Sequence, residues 1–192
     1  MKIGVIDIET SHFFDKDGTI IEVGIVIIDA KTGMLNKAFS SLCKESGFSE
    51  KDKTAWVFEN SDLTYEMIDT CGITFDDIRD DIQKVIDSCD MVTAYNKAFD
   101  FEFLKDRRVV IEHEAKCIML EMTKICKVLK PYHWRKNCPD DPFKWVNVDR
   151  SWQKLFPDIP YVEKHRAADD AVHEGIICYK MMQKYDINMI EE

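Results

Sequence analysis

The sequence predicts an α/β fold, a mixed β-sheet with helices on both faces. Two observations carry that expectation. Three stretches rich in β-branched residues, joined by turns, fill the first 42 residues, and segments with helical spacing alternate with a further short strand after them. A chain of 192 residues with 45% hydrophobic content suits one compact core, so a single domain over residues 1–192 is expected.

The first strand is expected over Ile3 to Ile8, inside Lys2-Ile3-Gly4-Val5-Ile6-Asp7-Ile8-Glu9-Thr10. The polar loop Asp15-Lys16-Asp17-Gly18 leads to a second strand, Thr19 to Ile28, and the turn Asp29-Ala30-Lys31-Thr32-Gly33 to a third, Leu35 to Leu42. Thr74 reads as a helix N-cap with Asp76 and Asp77 in the first turn, and Phe75, Ile78, Ile82, Val85 and Ile86 continue at helical spacing to Cys89. Met91 to Tyr95 reads as a short strand and Ala98 to Arg107 as a short helix. In Asn137-Cys138-Pro139-Asp140-Asp141-Pro142 two prolines break both helix and strand, which predicts a loop. The last element is a long helix from Ala167 to Lys184, apolar round much of its circumference.

Composition narrows the function. With Asp7 and Glu9 in the first ten residues no signal peptide is expected, and apolar runs such as Val23 to Ile28 are too short to span a membrane, so a soluble protein is expected. Seven scattered cysteines without a C-x-x-C pair argue against a disulfide framework or zinc ribbon and for a reducing, cytoplasmic compartment. A net charge of −10 argues against a general nucleic-acid coat protein. The charge is uneven, however: Lys124 to Lys154 carries +5 and the rest of the chain −15. That window interleaves its cations with Tyr132, Trp134, Phe143, Trp145 and Trp152, as a single-strand binding surface requires. Aromatics in the core with solvated lysines is the competing reading of the same window.

Asp7 and Glu9 lie two apart on a strand and therefore face one side. Two ionised carboxylates brought together out of water repel and lose hydration, which is resolved by raised pKa values or by a bound cation. Oxygen-only ligands select hard cations, Mg²⁺ or Mn²⁺, over zinc.

The order of elements with Asp-x-Glu in the first strand resembles the ribonuclease H-like fold. Asp7-Ile8-Glu9-Thr10 resembles the first motif of the DnaQ-like family of 3′–5′ exonucleases. Tyr95-Asn96-Lys97-Ala98-Phe99-Asp100 followed by Phe103-Leu104 resembles its second motif, and His165-Arg166-Ala167-Ala168-Asp169-Asp170 the third motif of its DEDDh subgroup. The likeness runs from about residue 2 to 184. It departs where Ser11-His12 stands in place of a glycine common soon after the first motif.

The resemblance implies phosphodiester hydrolysis with two divalent ions about 3.5–4 Å apart. It implies that Asp7 bridges both ions, that Glu9 and Asp170 complete the nucleophile-side site, and that Asp100 holds the other, largely through water. His165 becomes the general base, for which an imidazole with a reference pKa near 6.5 is suited. On a continuous helix His165 and Asp169 would share a face, so Asp169 is the alternative ligand unless His165 precedes the helix. Thr10, Asn96 and Phe99 near the acids, and Lys130, Arg135 and Lys136 in the basic window, are the candidate substrate-binding residues. His12, His113, His133 and His173 read as surface or packing residues. The expected substrate is the 3′ end of single-stranded DNA, with RNA as the alternative and an inactive end-binding module as another. A polymerase or other repair or replication partner, and the oligomeric state, are left open.

Overall fold

A computed structural model describes residues 1–137 and 140–191. Strands β1 (Lys2–Thr10), β2 (Ile20–Asp29) and β3 (Leu35–Leu42) form an antiparallel meander, and β4 (Met91–Thr93) adds parallel to β1, giving the order β3-β2-β1-β4. Eight helices are described: α1 (Trp56–Asn60), α2 (Tyr65–Cys71), α3 (Phe75–Asp87), α4 (Lys97–Asp106), α5 (Ile118–Cys126), α6 (Tyr132–Asn137), α7 (Val148–Leu155) and α8 (Ala167–Tyr185).

Alternation along β1 distributes the core between the two faces of the sheet. Ile3 and Val5 pack with Ile177, Cys178 and Met181 of α8. Ile6 and Ile8 point the other way, onto Phe75, Ile78 and Ile82 of α3 and Phe101, Phe103 and Leu104 of α4. Asp7, continuing the odd series, thus belongs to the face that α8 covers. The helix comes close because β2 carries Gly24 beneath it: a Cβ there would lie 2.3 Å from the Ala168 amide nitrogen.

Several boundaries differ from those expected. The strand at Met91 stops at Thr93, because the carbonyls of Ala94 and Tyr95 accept the amides of Ile118 and Met119 at the start of α5 (3.4 and 2.9 Å). Thr74 precedes α3 but does not cap it through its side chain; its hydroxyl donates instead to the Asp77 carboxylate at 2.6 Å, the stronger acceptor. Of the loop expected over 137–142, Asn137 still belongs to α6, and Cys138 and Pro139 lie outside the described residues. Beyond them the chain doubles back: Leu129 bridges Phe143, and the Lys130 amide donates to the Pro142 carbonyl. On this hairpin Trp134 and Trp145 are 57% and 60% exposed, which overturns the core reading for both, whereas Trp152 of α7 is buried. Among the described residues no helix is long and apolar enough to cross a membrane.

Candidate active site

Strand pairing sets Asp7 opposite Gly24 and Glu9 opposite Glu22, and the start of α8 lies over these residues. Glu22 is buried, and a second acid beside Glu9 would be repulsive without a counter-charge. Arg166, just before α8, supplies it. Its Nε and Nη2 donate to the Glu22 carboxylate at 2.9–3.2 Å, its Nη1 reaches Asp62 at 2.8 Å, and the Ala167 amide adds a further bond to Glu22 at 2.9 Å. A forked guanidinium on one carboxylate gives direction as well as attraction, so this clamp locks the start of α8 to β2.

His165 lies ahead of the helix, and Asp170 is the fourth residue within it. Asp170 is buried, and its Oδ1 accepts from the Tyr161 hydroxyl (3.0 Å) and the Lys164 amide (3.3 Å) while Oδ2 accepts from the Arg166 amide (2.9 Å). The loop therefore wraps around this carboxylate. His165 sits between the two donating amides with φ 54°, a left-handed conformation costing a non-glycine residue roughly 1–3 kcal/mol that the surrounding bonds must hold. Its ring meets the edge of Trp56, centroids 4.7 Å apart. One ligand atom each from Glu9, His165 and Asp170 lie within 4.8 Å of one another. Asp169 points elsewhere, to Lys37 at 2.6 Å and Lys164 at 3.7 Å.

The acids gather from three elements. Asp100 on α4 is buried, and its Oδ1 accepts the Ile8 amide at 3.2 Å, which ties α4 to β1. Burial pushes the Asp100 carboxyl up to about 7, against the pull of that amide. Burial also drives Asp7 well above the ordinary carboxylate range, reinforced by the charges of Glu174, Glu9, Asp100 and Asp170. Glu9 is raised too, by burial first and then by Asp170, Glu22, Glu163 and Asp100. Glu163 is pushed up to about 7 by burial and by Asp170 and Asp149. Asp7 Oδ2 is enclosed and has no hydrogen-bond partner. Crowded carboxylates with an orphaned oxygen and oxygen-only donors beside one imidazole fit hard divalent cations such as Mg²⁺ or Mn²⁺.

The other sequence candidates divide into two groups. Thr10 and Phe99 line a cleft of about 530 Å³ beside the acids, together with Ile8, Phe13 and Trp56. His12, expected at the surface or in packing, belongs to the same wall, with Nε2 3.5 Å from buried Asp52. Asn96 is exposed at the start of α4, and its carbonyl accepts the Phe99 and Asp100 amides. Lys130, Arg135 and Lys136 sit on the hairpin, where Lys130 pairs with Asp141 and Arg135 lies over the Tyr132 ring at 5.9 Å. None of the described hydrogen bonds or ion pairs joins these three to the acids.

Four residues of the site are absent from the candidates read in the sequence. Glu174 lies one turn beyond Asp170 on the same face of α8, a spacing that was open to inspection. Tyr161 reaches Asp170 from the irregular stretch nine residues before it, Glu22 acts through partners about 145 residues away, and Trp56 opens a five-residue helix with no periodic signal.

Comparison with known proteins adds to this geometry. The profile of the RNase_T family, described as "Exonuclease", matches residues 5–174. No curated protein matches the sequence. Among solved structures, the nuclease domain of 3′hExo, a DEDDh family member bound to rAMP, superposes with a TM-score of 0.66 at 19% identity, covering 100% of this chain and 96% of that one. A 3′-exonuclease described by its 3′-end specific recognition of a histone mRNA stem-loop gives 0.65 at 15% identity, covering 95% and 82%. E. coli Exonuclease I in complex with a dT13 oligonucleotide gives 0.69 at 14% identity, covering 96% of this chain and 42% of that one.

Proposed function

The chain belongs to the RNase_T exonuclease family, and on that premise we propose that it removes nucleotides from the 3′ end of single-stranded nucleic acid by metal-dependent hydrolysis, releasing nucleoside monophosphates. The observation that carries this reading is the convergence of Glu9, His165 and Asp170 beside the orphaned oxygen of Asp7. Asp7 would be shared between two ions, Glu9 and Asp170 would hold the one on the nucleophile side, and Asp100 would serve the other. Bound Mg²⁺ or Mn²⁺ supplies neutralisation of the phosphoryl oxygens and of the departing 3′ oxygen.

The remaining work falls to the chain's own residues. A ring nitrogen of His165 accepts the proton of the attacking water, as a general base. The amide and hydroxyl donors on Asp170 and the edge of Trp56 keep that ring in place. Phe99, Phe13 and Trp56 would offer apolar walls to the terminal nucleoside, with Thr10 in the lining of the same cleft to contact it. Asn96, at the start of α4, borders the approach. Lys130, Arg135 and Lys136, with the exposed rings of Trp134 and Trp145, form the surface that receives the strand further from its end. Residues 1–192 act as one exonuclease domain, and the free thiols among the described cysteines suit a reducing cytoplasm.

The deciding experiment is degradation of 3′-labelled single-stranded DNA and RNA side by side, with Mg²⁺, with Mn²⁺ and with EDTA. Metal-dependent release of mononucleotides is expected, DNA at least as fast as RNA. End binding without hydrolysis in either metal would reduce the protein to an accessory module. Faster cleavage of RNA would reassign the substrate.

A further inference from the structure

Glu174 is 2% exposed, one helical turn beyond Asp170 on α8, and its Oε2 is enclosed without a hydrogen-bond partner. Of the neighbouring charges, Glu174 weighs most heavily on Asp7, whose own Oδ2 is the other orphaned oxygen of the cluster. The acids closest in influence on Glu174 are Asp100, Asp170 and Glu163, with the Tyr95 amide acting against them. None of the described ion pairs or side-chain hydrogen bonds brings a lysine or arginine to Glu174. A carboxylate placed in this way costs the fold stability unless its charge is used. We infer that Glu174 is a fifth carboxylate of the metal centre, a positioning residue behind Asp7 whose charge strengthens cation binding there. The inference rests on the metal-dependent reading above. Without a cation, Glu174 adds to the repulsion among Asp7, Asp100 and Asp170; with one, the same charge becomes attractive and holds Asp7 towards the ion. Outer-sphere groups of this kind change metal affinity by about 10- to 100-fold.

The test compares the wild type, Glu174→Gln and Asp7→Asn by calorimetric titration of the intact protein with Mn²⁺ alone, and by melting in EDTA at pH 8. Glutamine keeps the shape and can still accept the Tyr95 amide, so only the charge is removed. Glu174→Gln is expected to weaken Mn²⁺ binding at least about 10-fold and to raise the melting temperature of the metal-free protein by roughly 2–4 °C. A group that only filled space would move neither quantity in this way. Unchanged Mn²⁺ affinity in Glu174→Gln, with binding lost in Asp7→Asn, would overturn the role of Glu174 and leave the metal centre standing. Unchanged affinity in both would remove the metal reading itself. A lowered melting temperature in EDTA with unchanged affinity would make Glu174 a structural residue and refute the inference.

Discussion

Replacing Asp100 with asparagine should make the metal-free protein more stable while ending its activity, and the gain should grow with pH. The magnitude follows from burial. Asp100 is 3% exposed and its carboxyl is raised from 3.8 to about 7. At 1.36 kcal/mol per pKa unit, that separation is on the order of 4 kcal/mol. The sign is set by proton binding: between those two values the folded state holds the proton and the unfolded state has released it. The contribution is therefore complete below about 3.8 and is lost as pH rises through about 7. An asparagine can still accept the Ile8 amide through its Oδ1 and carries no charge, so it is spared the loss. About two of those pKa units, on the order of 2.7 kcal/mol, fall between pH 5 and 7, so calorimetry in EDTA from pH 5 to 8 should find the wild-type melting temperature falling relative to the variant by roughly 5–10 °C, at 2–4 °C per kcal/mol for a chain of this size. Adding Mn²⁺ at pH 8 should recover the wild type by binding to the folded state, and the variant much less. Since every other group titrates in both proteins, melting curves that stay parallel across the range would refute the reasoning.

Three further outcomes are expected. Asp170→Asn should abolish hydrolysis, while Asp169→Asn, which removes only partly exposed pairs with Lys37 and Lys164, should leave turnover within about twofold; the opposite pattern in single-turnover assays would exchange their roles. His165→Gln should lower the rate by about 10²–10⁴, with Mn²⁺ affinity largely kept; near-normal turnover in the variant would mean another group takes the proton. Neutralising Lys130, Arg135 and Lys136 together should raise KM and reduce the salt dependence of binding by roughly 0.7 in log–log slope for each phosphate no longer neutralised, with turnover at saturation little changed. An unchanged KM at two salt concentrations would make the hairpin a bystander.

The parts of this molecule that obey a short repeat were legible in the chain. β3 begins and ends at Leu35 and Leu42 as its pattern indicates, and α8 runs one residue past Lys184. Alternation also placed Asp7 and Glu9 together, and a helix starting after His165 resolved its awkward spacing to Asp170. What the pattern missed depends on partners far away. Trp56 reaches His165 across more than a hundred residues, and Glu22 is tolerable only because Arg166 returns to it. The hydroxyl of Thr74 had two hydrogen-bonding choices that composition cannot rank, and the exposure of Trp134 and Trp145 follows from a hairpin that stands off the core. Glu174 was visible as a helical neighbour of Asp170, but an acid four residues from another on a helix is ordinary until the helix is known to be buried there.

Gly24 has no functional group, yet the whole constellation leans on it. With the Ala167 carbonyl carbon and the Ala168 nitrogen only 2.4 and 2.3 Å from where a methyl would stand, backbone meets backbone and no flexible side chain is available to yield. A single added carbon must lift the head of α8, carrying His165 and Asp170 away from Asp7 and Glu9, and a displacement of about 1 Å is enough to cost a reaction of this kind 10²-fold. The mutational tolerance of the protein is thus governed partly by a position that chemistry never touches. Inactivating changes collected without prejudice should fall on Gly24 as readily as on the acids, and graded substitutions around that point of closest approach offer a way to tune the rate while every reacting group stays in place.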